Sequence, residues 1–282
     1  MTEDKRLLDL QPVGIIPAAG HASRISPSPC SKELIPFGFG RLQDGRLHPK
    51  AVSHYLLDKY KAAGVSTAYF ILRKGKWDIP GYFGDGSMMG MNFAYLLMNL
   101  PYGVPYTIEQ AYPFVKTSKI MLGLPDILFE PENAFLLADE TLIRKQADMV
   151  LGLYPPKDDR QVKKCDMVQW DSQSGQIQKI VVKPKSSDLD YIWVFAVWTP
   201  VFSIFMHNYL EIDRNRRRNG QQEREIHFGH VIQQAIANGL RVYGRAFPSH
   251  HFSDIGTPNE LADAWKQKHG IHIDSDIEGK FL

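Results

Sequence analysis

The chain has 282 residues, 44% hydrophobic and 23% charged, with 33 Lys and Arg against 31 Asp and Glu for a formal net charge of +2. These are ordinary globular values, enough for one large α/β domain or two small ones, and the balanced charge gives no electrostatic footprint for nucleic acid. No apolar run approaches the ~20 residues that span a bilayer, and the two cysteines, Cys30 and Cys165, are too few for a disulfide framework and fit a cytoplasmic enzyme.

The first residues, MTEDKRLLDLQ, carry acids and no long apolar core, so they do not read as a secretory signal. Residues 13–19 are an apolar run that reads as a buried strand. The run breaks at Gly20 into a loop of small and polar residues containing Arg24 and Lys32. Backbone N–H groups can approach an anion where side chains are small, and Arg and Lys supply charge, so the loop suits phosphate. Plain turn chemistry gives the same local pattern. Neither a Walker loop nor the dinucleotide fingerprint is present.

Residues 37–49 read as a hairpin turning at Asp44-Gly45. Residues 51–63 read as a helix closed by Gly64, and residues 68–72 as a second buried strand, which makes a βαβ unit with a parallel pair. A strand over 91–98, a helix over 107–119 and a strand over 120–124 follow. Asp126 then lies at the carboxyl end of a central strand, where α/β sheets bind ligands. Residues 134–148 are expected to hold a short strand and a helix, and residues 149–154 a strand. Residues 166–170 and 177–182 read as a hairpin, and 191–198 (YIWVFAVW) as a strand. A helix over 200–210 leads into a run with Arg214, Arg216, Arg217 and Arg218, flanked by acids and read as a solvated loop or a subunit contact. His227, His230, His250 and His251 lack a carboxylate or cysteine at ligand spacing and read as surface and capping residues. A strand over 241–247 and a helix over 259–268, capped by Thr257, complete the chain.

Several of these segments, taken in order, resemble the sugar-1-phosphate nucleotidyltransferases, the NDP-sugar pyrophosphorylases. PAAGHASRISPSPCSKELIPF is similar to their signature loop, GxGxRLxP followed by a spacer and (P/S)KxLxP. Gly20, Arg24, Pro27, Ser31, Lys32, Leu34 and Pro36 match in order and spacing, whereas Ala22 and Ser23 replace Gly-Thr and Ile25 replaces Leu. Gly84-Asp85-Gly86-Ser87 resembles the LGDGS segment of the glucose-1-phosphate thymidylyltransferase branch. The run ending at Pro125-Asp126 resembles LGDxxF, Lys183-Pro184 resembles EKP, and Asp254-Ile255-Gly256-Thr257-Pro258 resembles the DxGTP mark.

The resemblance implies an α/β fold, a three-layer α/β/α Rossmann-like mixed sheet with a small β sugar-binding lobe. It implies a single domain over residues 1–282: 13–150 mainly nucleotide-binding, 151–257 mainly sugar-phosphate, and 258–282 a C-terminal helix and tail. The implied activity is Mg²⁺-dependent nucleotidyl transfer from a nucleoside triphosphate, dTTP or UTP, to a sugar-1-phosphate such as glucose-1-phosphate, with release of pyrophosphate. Arg24 and Lys32 would be catalytic, Ala18, Ala19, Gly20 and Asn99 would bind nucleotide, and Asp126 and Asp254 would hold Mg²⁺. Lys183, Glu225 and Trp193 would face the sugar phosphate. Val182 stands where a glutamate usually contacts the sugar, and Trp193 near a usual glycine; Trp193 also reads as a core aromatic, and Asn99 as a turn residue. Relatives are commonly homo-oligomers, and neither nucleic acid nor membrane is an expected partner. A nucleotide-sugar-dependent glycosyltransferase and a non-catalytic nucleotide-binding module are the alternative readings.

Overall fold

In a computed structural model, residues 10–41, 45–100, 102–221 and 224–269 are described. β1 (Pro12–Ala18) runs into the small-residue loop, and a hairpin of β2 (Pro36–Arg41) and β3 (Leu47–Ala51) follows it. Next come α1 (His54–Ala62), β4 (Thr67–Leu72), α2 (Asp78–Phe83) and β5 (Asn92–Leu97). Two short helices, α3 (Val104–Glu109) and α4 (Tyr112–Val115), precede β6 (Lys119–Leu122) and β7 (Ile127–Phe129). The second half begins with α5 (Ala134–Arg144), β8 (Met149–Tyr154), α6 (Asp159–Lys164) and the hairpin β9 (Met167–Trp170) and β10 (Ile177–Val181). It ends with β11 (Tyr191–Trp198), α7 (Pro200–Arg218), α8 (Phe228–Ala237), β12 (Val242–Ala246), β13 (Phe252–Asp254) and α9 (Pro258–His269).

β1 is central because it can be buried on both faces. Ile15 packs with Ile71, Phe202 and Val231 on one side, and Ile16 with Leu56, Phe70 and Phe135 on the other. Each such side chain contributes ~1.5–3 kcal/mol on burial. A strand apolar on both faces needs helices on both, which makes the three layers: α1 and α5 on one face, α7 and α8 on the other. At Gly14 an added Cβ would lie 2.6 Å from the Tyr60 ring, so only glycine lets α1 approach this closely. The Tyr60 hydroxyl donates to the Ile15 carbonyl at 2.8 Å from there.

Among the described residues the main sheet has nine strands and is mixed. β1 lies between β4 and β6, parallel to both, with β5 outside β4. β11 is antiparallel to β6 and β8, and β12 lies outside β8, parallel to it. The β9–β10 hairpin forms one end of this same sheet, paired to the first residues of β11. A separate two-stranded ribbon pairs β13 with β7.

Some expected boundaries move. Ala51 ends β3, so the first helix starts at His54. The expected helix over 107–119 is two short helices separated at Gln110–Ala111, and Lys119 opens β6, where it is buried against Asp139 at 2.7 Å. No short strand accompanies α5 within residues 134–148. The arginine run is not a loop: α7 continues through Arg218. Glu211–Arg214 and Asp213–Arg217 pairs hold those turns, and Arg217 also lies 4.3 Å over the Tyr102 ring. Asp44 of the predicted hairpin turn lies outside the described residues; Gly45 has φ +77.

Candidate active site

β1 delivers buried Ala18 to the carboxyl end of the sheet, followed by half-buried Ala19 and exposed Gly20. Arg73, just past β4, donates to the Gly20 carbonyl at 3.4 Å. The loop then turns through Ala22 at φ +54, with Ile25 N–H donating to the Ala22 carbonyl at 3.2 Å. That left-handed turn is the conformation a glycine would adopt at little cost. The far end of the loop is pinned by Ser31, whose backbone N–H and hydroxyl donate to the two Asp78 oxygens at 2.6 and 2.8 Å. Glu33 is fully buried and paired with buried Lys76 at 2.6 Å. The loop is thus tied down on both sides of Lys32, which reaches out to form an ion pair with Asp126.

Asp126 and Asp254 meet because the β13–β7 ribbon brings them together. Asp254 is the register partner of Ile127, and Ile255 N–H donates to the Asp126 carbonyl at 2.9 Å. Burial pushes the Asp254 carboxyl up to about 6, with the Asp126 and Glu260 charges acting the same way against Lys32 and Arg24. Burial opposes the Lys32 charge, but Asp126, with Glu33 and Asp254 behind it, outweighs this and holds its pKa above the ordinary lysine range. Arg24 closes the group: a Cβ added to Gly256 would lie 2.8 Å from an Arg24 guanidinium nitrogen and 2.9 Å from Asp254 Oδ1. Two cations from one loop and two carboxylates, one just before β7 and one ending β13, therefore share one place. Thr257 accepts the Glu260 N–H at 3.3 Å and caps α9, as expected.

A second cluster forms around the β9–β10 hairpin. Lys183 is exposed, at φ +40, with its Nζ 3.4 Å from His227 Nδ1. Burial, and then Lys183, lower the His227 pKa. Trp193 is half-buried; its ring packs on Phe228, 5.6 Å between centroids, and its Nε1 donates to Asp166 at 3.2 Å. Asp166 is buried, and its Oδ1 has no partner among the described residues. Glu225 is exposed just before α8. Its segment is stitched to the α3 entry: Ile226 N–H donates to the Tyr102 carbonyl at 3.0 Å, and a Cβ on Gly103 would lie 2.1 Å from the Ile226 carbonyl oxygen. Burial pushes the Cys165 thiol up to about 12, with the Asp254 and Asp166 charges adding to this and Lys183 opposing it.

A nucleotidyl transferase family profile matches residues 13–269, spanning both clusters and every element from β1 to α9. The chain belongs to the nucleotidyl transferase family. Among solved structures, this nucleotidyl transferase is similar to a Bacillus anthracis protein assigned as a glucose-1-phosphate thymidylyltransferase and solved with sucrose, at TM-score 0.74 and 19% identity over 95% of this chain and 100% of that one. It is also similar to a UDP-glucose pyrophosphorylase complexed with UDP-glucose, at TM-score 0.72 and 15% identity over 92% and 98%. A third similar structure is the inositol-1-phosphate CTP transferase of T. maritima, at TM-score 0.64 and 18% identity over 94% and 99%. No curated protein matches the sequence. At these identities the likeness shows the fold, which is the α/β mixed-sheet architecture the motifs implied.

The structure of this nucleotidyl transferase brings Arg24, Lys32, Asp126 and Asp254 together, and gathers Lys183 and Trp193 near His227 and Asp166. Asn99 is exposed two residues beyond the end of β5, the outermost strand of its side of the sheet. No sequence motif marks Lys76, Asp78, Asp166 or the contact of His227 with Lys183. The only signal for Glu33 was its place inside the SKxLxP signature, and nothing in the sequence ties it to Lys76, 43 residues away. His227, His230, His250 and His251 join no metal-binding group among the described residues.

Proposed function

We propose that the protein transfers a nucleotidyl group from a nucleoside triphosphate to a sugar-1-phosphate, releasing pyrophosphate. The observation that carries this reading is the convergence of Arg24 and Lys32 with Asp126 and Asp254 at the carboxyl end of the central strands. A cation pair beside a carboxylate pair matches a substrate that brings both phosphate charge and a divalent metal.

The residues fit Mg²⁺. Asp126 and Asp254 offer hard oxygen donors, and their mutual repulsion is what a bound cation would relieve. Among the described residues no third carboxylate, His or Cys completes a metal site. Mg²⁺ commonly takes one or two carboxylates and fills its shell with water and phosphate oxygens. When bound, it would supply positive charge that neutralises the triphosphate.

The chain's own residues then divide the work. Small residues from Ala18 to Gly20 let the backbone approach the triphosphate. Arg24 offers its planar fork to phosphate oxygens, and Lys32 exchanges its Asp126 partner for a phosphate, so that both stabilise charge on the departing pyrophosphate. Lys183 holds the sugar-1-phosphate, whose oxygen attacks the α-phosphorus in line as the bond to pyrophosphate breaks. Positioning and charge neutralisation supply most of the rate. Glu225 and Trp193 border the sugar side, and Asn99 reads the base. Glucose-1-phosphate with dTTP or UTP is the lead pairing, supported by the Gly84–Ser87 resemblance. The similar structures carry thymidylyl, UDP and CTP names, so the base is what the assay must assign. The same reading makes the protein a cytoplasmic homo-oligomer; among the described residues no helix is long and apolar enough to cross a membrane.

The test is turnover of wild type against Asp126→Ala as Mg²⁺ is titrated. The variant should lose about a hundred-fold or more in rate. Full Mg²⁺-dependent turnover in Asp126→Ala would refute the metal assignment.

A further inference from the structure

A cavity of about 270 Å³ lies between the end of α5, the turn joining β9 to β10, and β12. None of the residues assigned to the two-substrate site lines it. Its walls carry three cations, Arg144, Lys145 and Arg245, and no aspartate or glutamate. Among the described residues none of the three forms an ion pair; Lys145 instead lies 5.7 Å over the Tyr243 ring. The acid of the adjoining turn, Asp171, is engaged by its own loop, accepting from Ser174 Oγ at 2.6 Å and Gln173 N–H at 3.0 Å.

Two lining side chains also present buried donors. Trp170 Nε1 and Arg245 Nε have no acceptor among the described residues. Buried N–H groups are nearly always paired, so two orphans in the wall of one cavity point to an acceptor that binds there. A carboxylate carries one charge, whereas a phosphate ester carries up to two and accepts from several directions, a better match to three cations and two donors.

We propose that this cavity is a second anion site that binds the phosphate of a small molecule. Arg245 and Trp170 donate to its oxygens, and Arg144 and Lys145 supply charge. The phosphate is either free, as inorganic phosphate or pyrophosphate, or part of a nucleotide.

The test is calorimetry in EDTA on the full chain carrying Arg24→Ala and Lys32→Gln, which removes the loop cations of the two-substrate site. Inorganic phosphate, pyrophosphate and a nucleoside monophosphate are titrated separately. About one equivalent of phosphate ligand should still bind. Adding Arg245→Gln should weaken it about ten-fold or more, and Trp170→Phe should weaken it several-fold, as expected for losing charge-assisted and neutral hydrogen bonds. Arg144→Gln, at an exposed helix end, keeps the test valid if an inner substitution unfolds the chain, and it too should weaken binding. Tighter binding of the nucleoside monophosphate identifies a nucleotide source, and tighter binding of pyrophosphate a free one. In the otherwise wild-type chain, Arg245→Gln and Arg144→Gln should leave turnover unchanged. No residual binding, or binding indifferent to all three substitutions, overturns the site.

Discussion

Asp254→Asn should make the metal-free protein more stable while it removes activity. The Asp254 carboxyl is pushed from 3.8 to about 6, by burial first and then by Asp126 and Glu260. At about 1.4 kcal/mol per pH unit, that gap corresponds to at most ~3 kcal/mol of destabilisation of the folded state once the group is ionised. The sign follows from proton binding. Between about pH 4 and 6 the folded chain keeps a proton that the unfolded chain has released, so stability falls as pH rises through that window and levels above it. Asparagine has no such dependence. Urea unfolding in EDTA should therefore show Asp254→Asn ahead by ~1–3 kcal/mol at pH 7.5, with the advantage shrinking toward pH 4.5. The same substitution should cut Mg²⁺-dependent turnover by about a hundred-fold or more. A gap that does not change with pH, or a variant less stable at pH 7.5, would refute the reasoning. A stability gain paired with lost activity is the signature of a carboxylate kept for function at the expense of the fold.

The loop makes two further predictions. Ala22→Gly should stabilise the chain by ~0.5–1 kcal/mol, because glycine relieves the left-handed strain at φ +54 by more than it costs in chain entropy; chemical denaturation reads the difference, and a loss of stability would contradict it. Lys76→Met should leave buried Glu33 without its partner and cost ~3–5 kcal/mol, with KM for the triphosphate rising as the Lys32 loop loosens. An unchanged melting temperature and KM would show that the pair does not anchor the loop.

Burial and periodicity explain which parts of this fold were readable. Met149–Tyr154 and Tyr191–Trp198 are strands as expected, because continuous apolar runs with β-prone residues have no competing helical face. The end of α7 was not readable, since its last turns are held by charge pairs and stacking on Tyr102, where hydrophobic periodicity carries no signal. The end of the 107–119 segment turned on Lys119, a charged residue buried in β6 by an ion pair to Asp139 on α5 that the sequence does not announce. In the site, Arg24, Lys32, Asp126, Lys183 and Asp254 stood out because each sits in a short motif. Their supports, Lys76 under Glu33 and Asp166 under Trp193, act through long-range burial, which single-sequence patterns do not encode.

Pyrophosphate release reports nucleotidyl transfer by this protein without any assumption about the sugar or the base. Purified protein with Mg²⁺ is given dTTP, UTP, CTP, ATP and GTP in turn, each with a panel of sugar-1-phosphates led by glucose-1-phosphate. Pyrophosphate and a nucleoside diphosphate sugar should appear in equal amounts for at least one pair, most with dTTP or UTP, with no release in EDTA. Triphosphate binding without pyrophosphate release from any pair would contradict nucleotidyl transfer and favour a binding module in place of an enzyme.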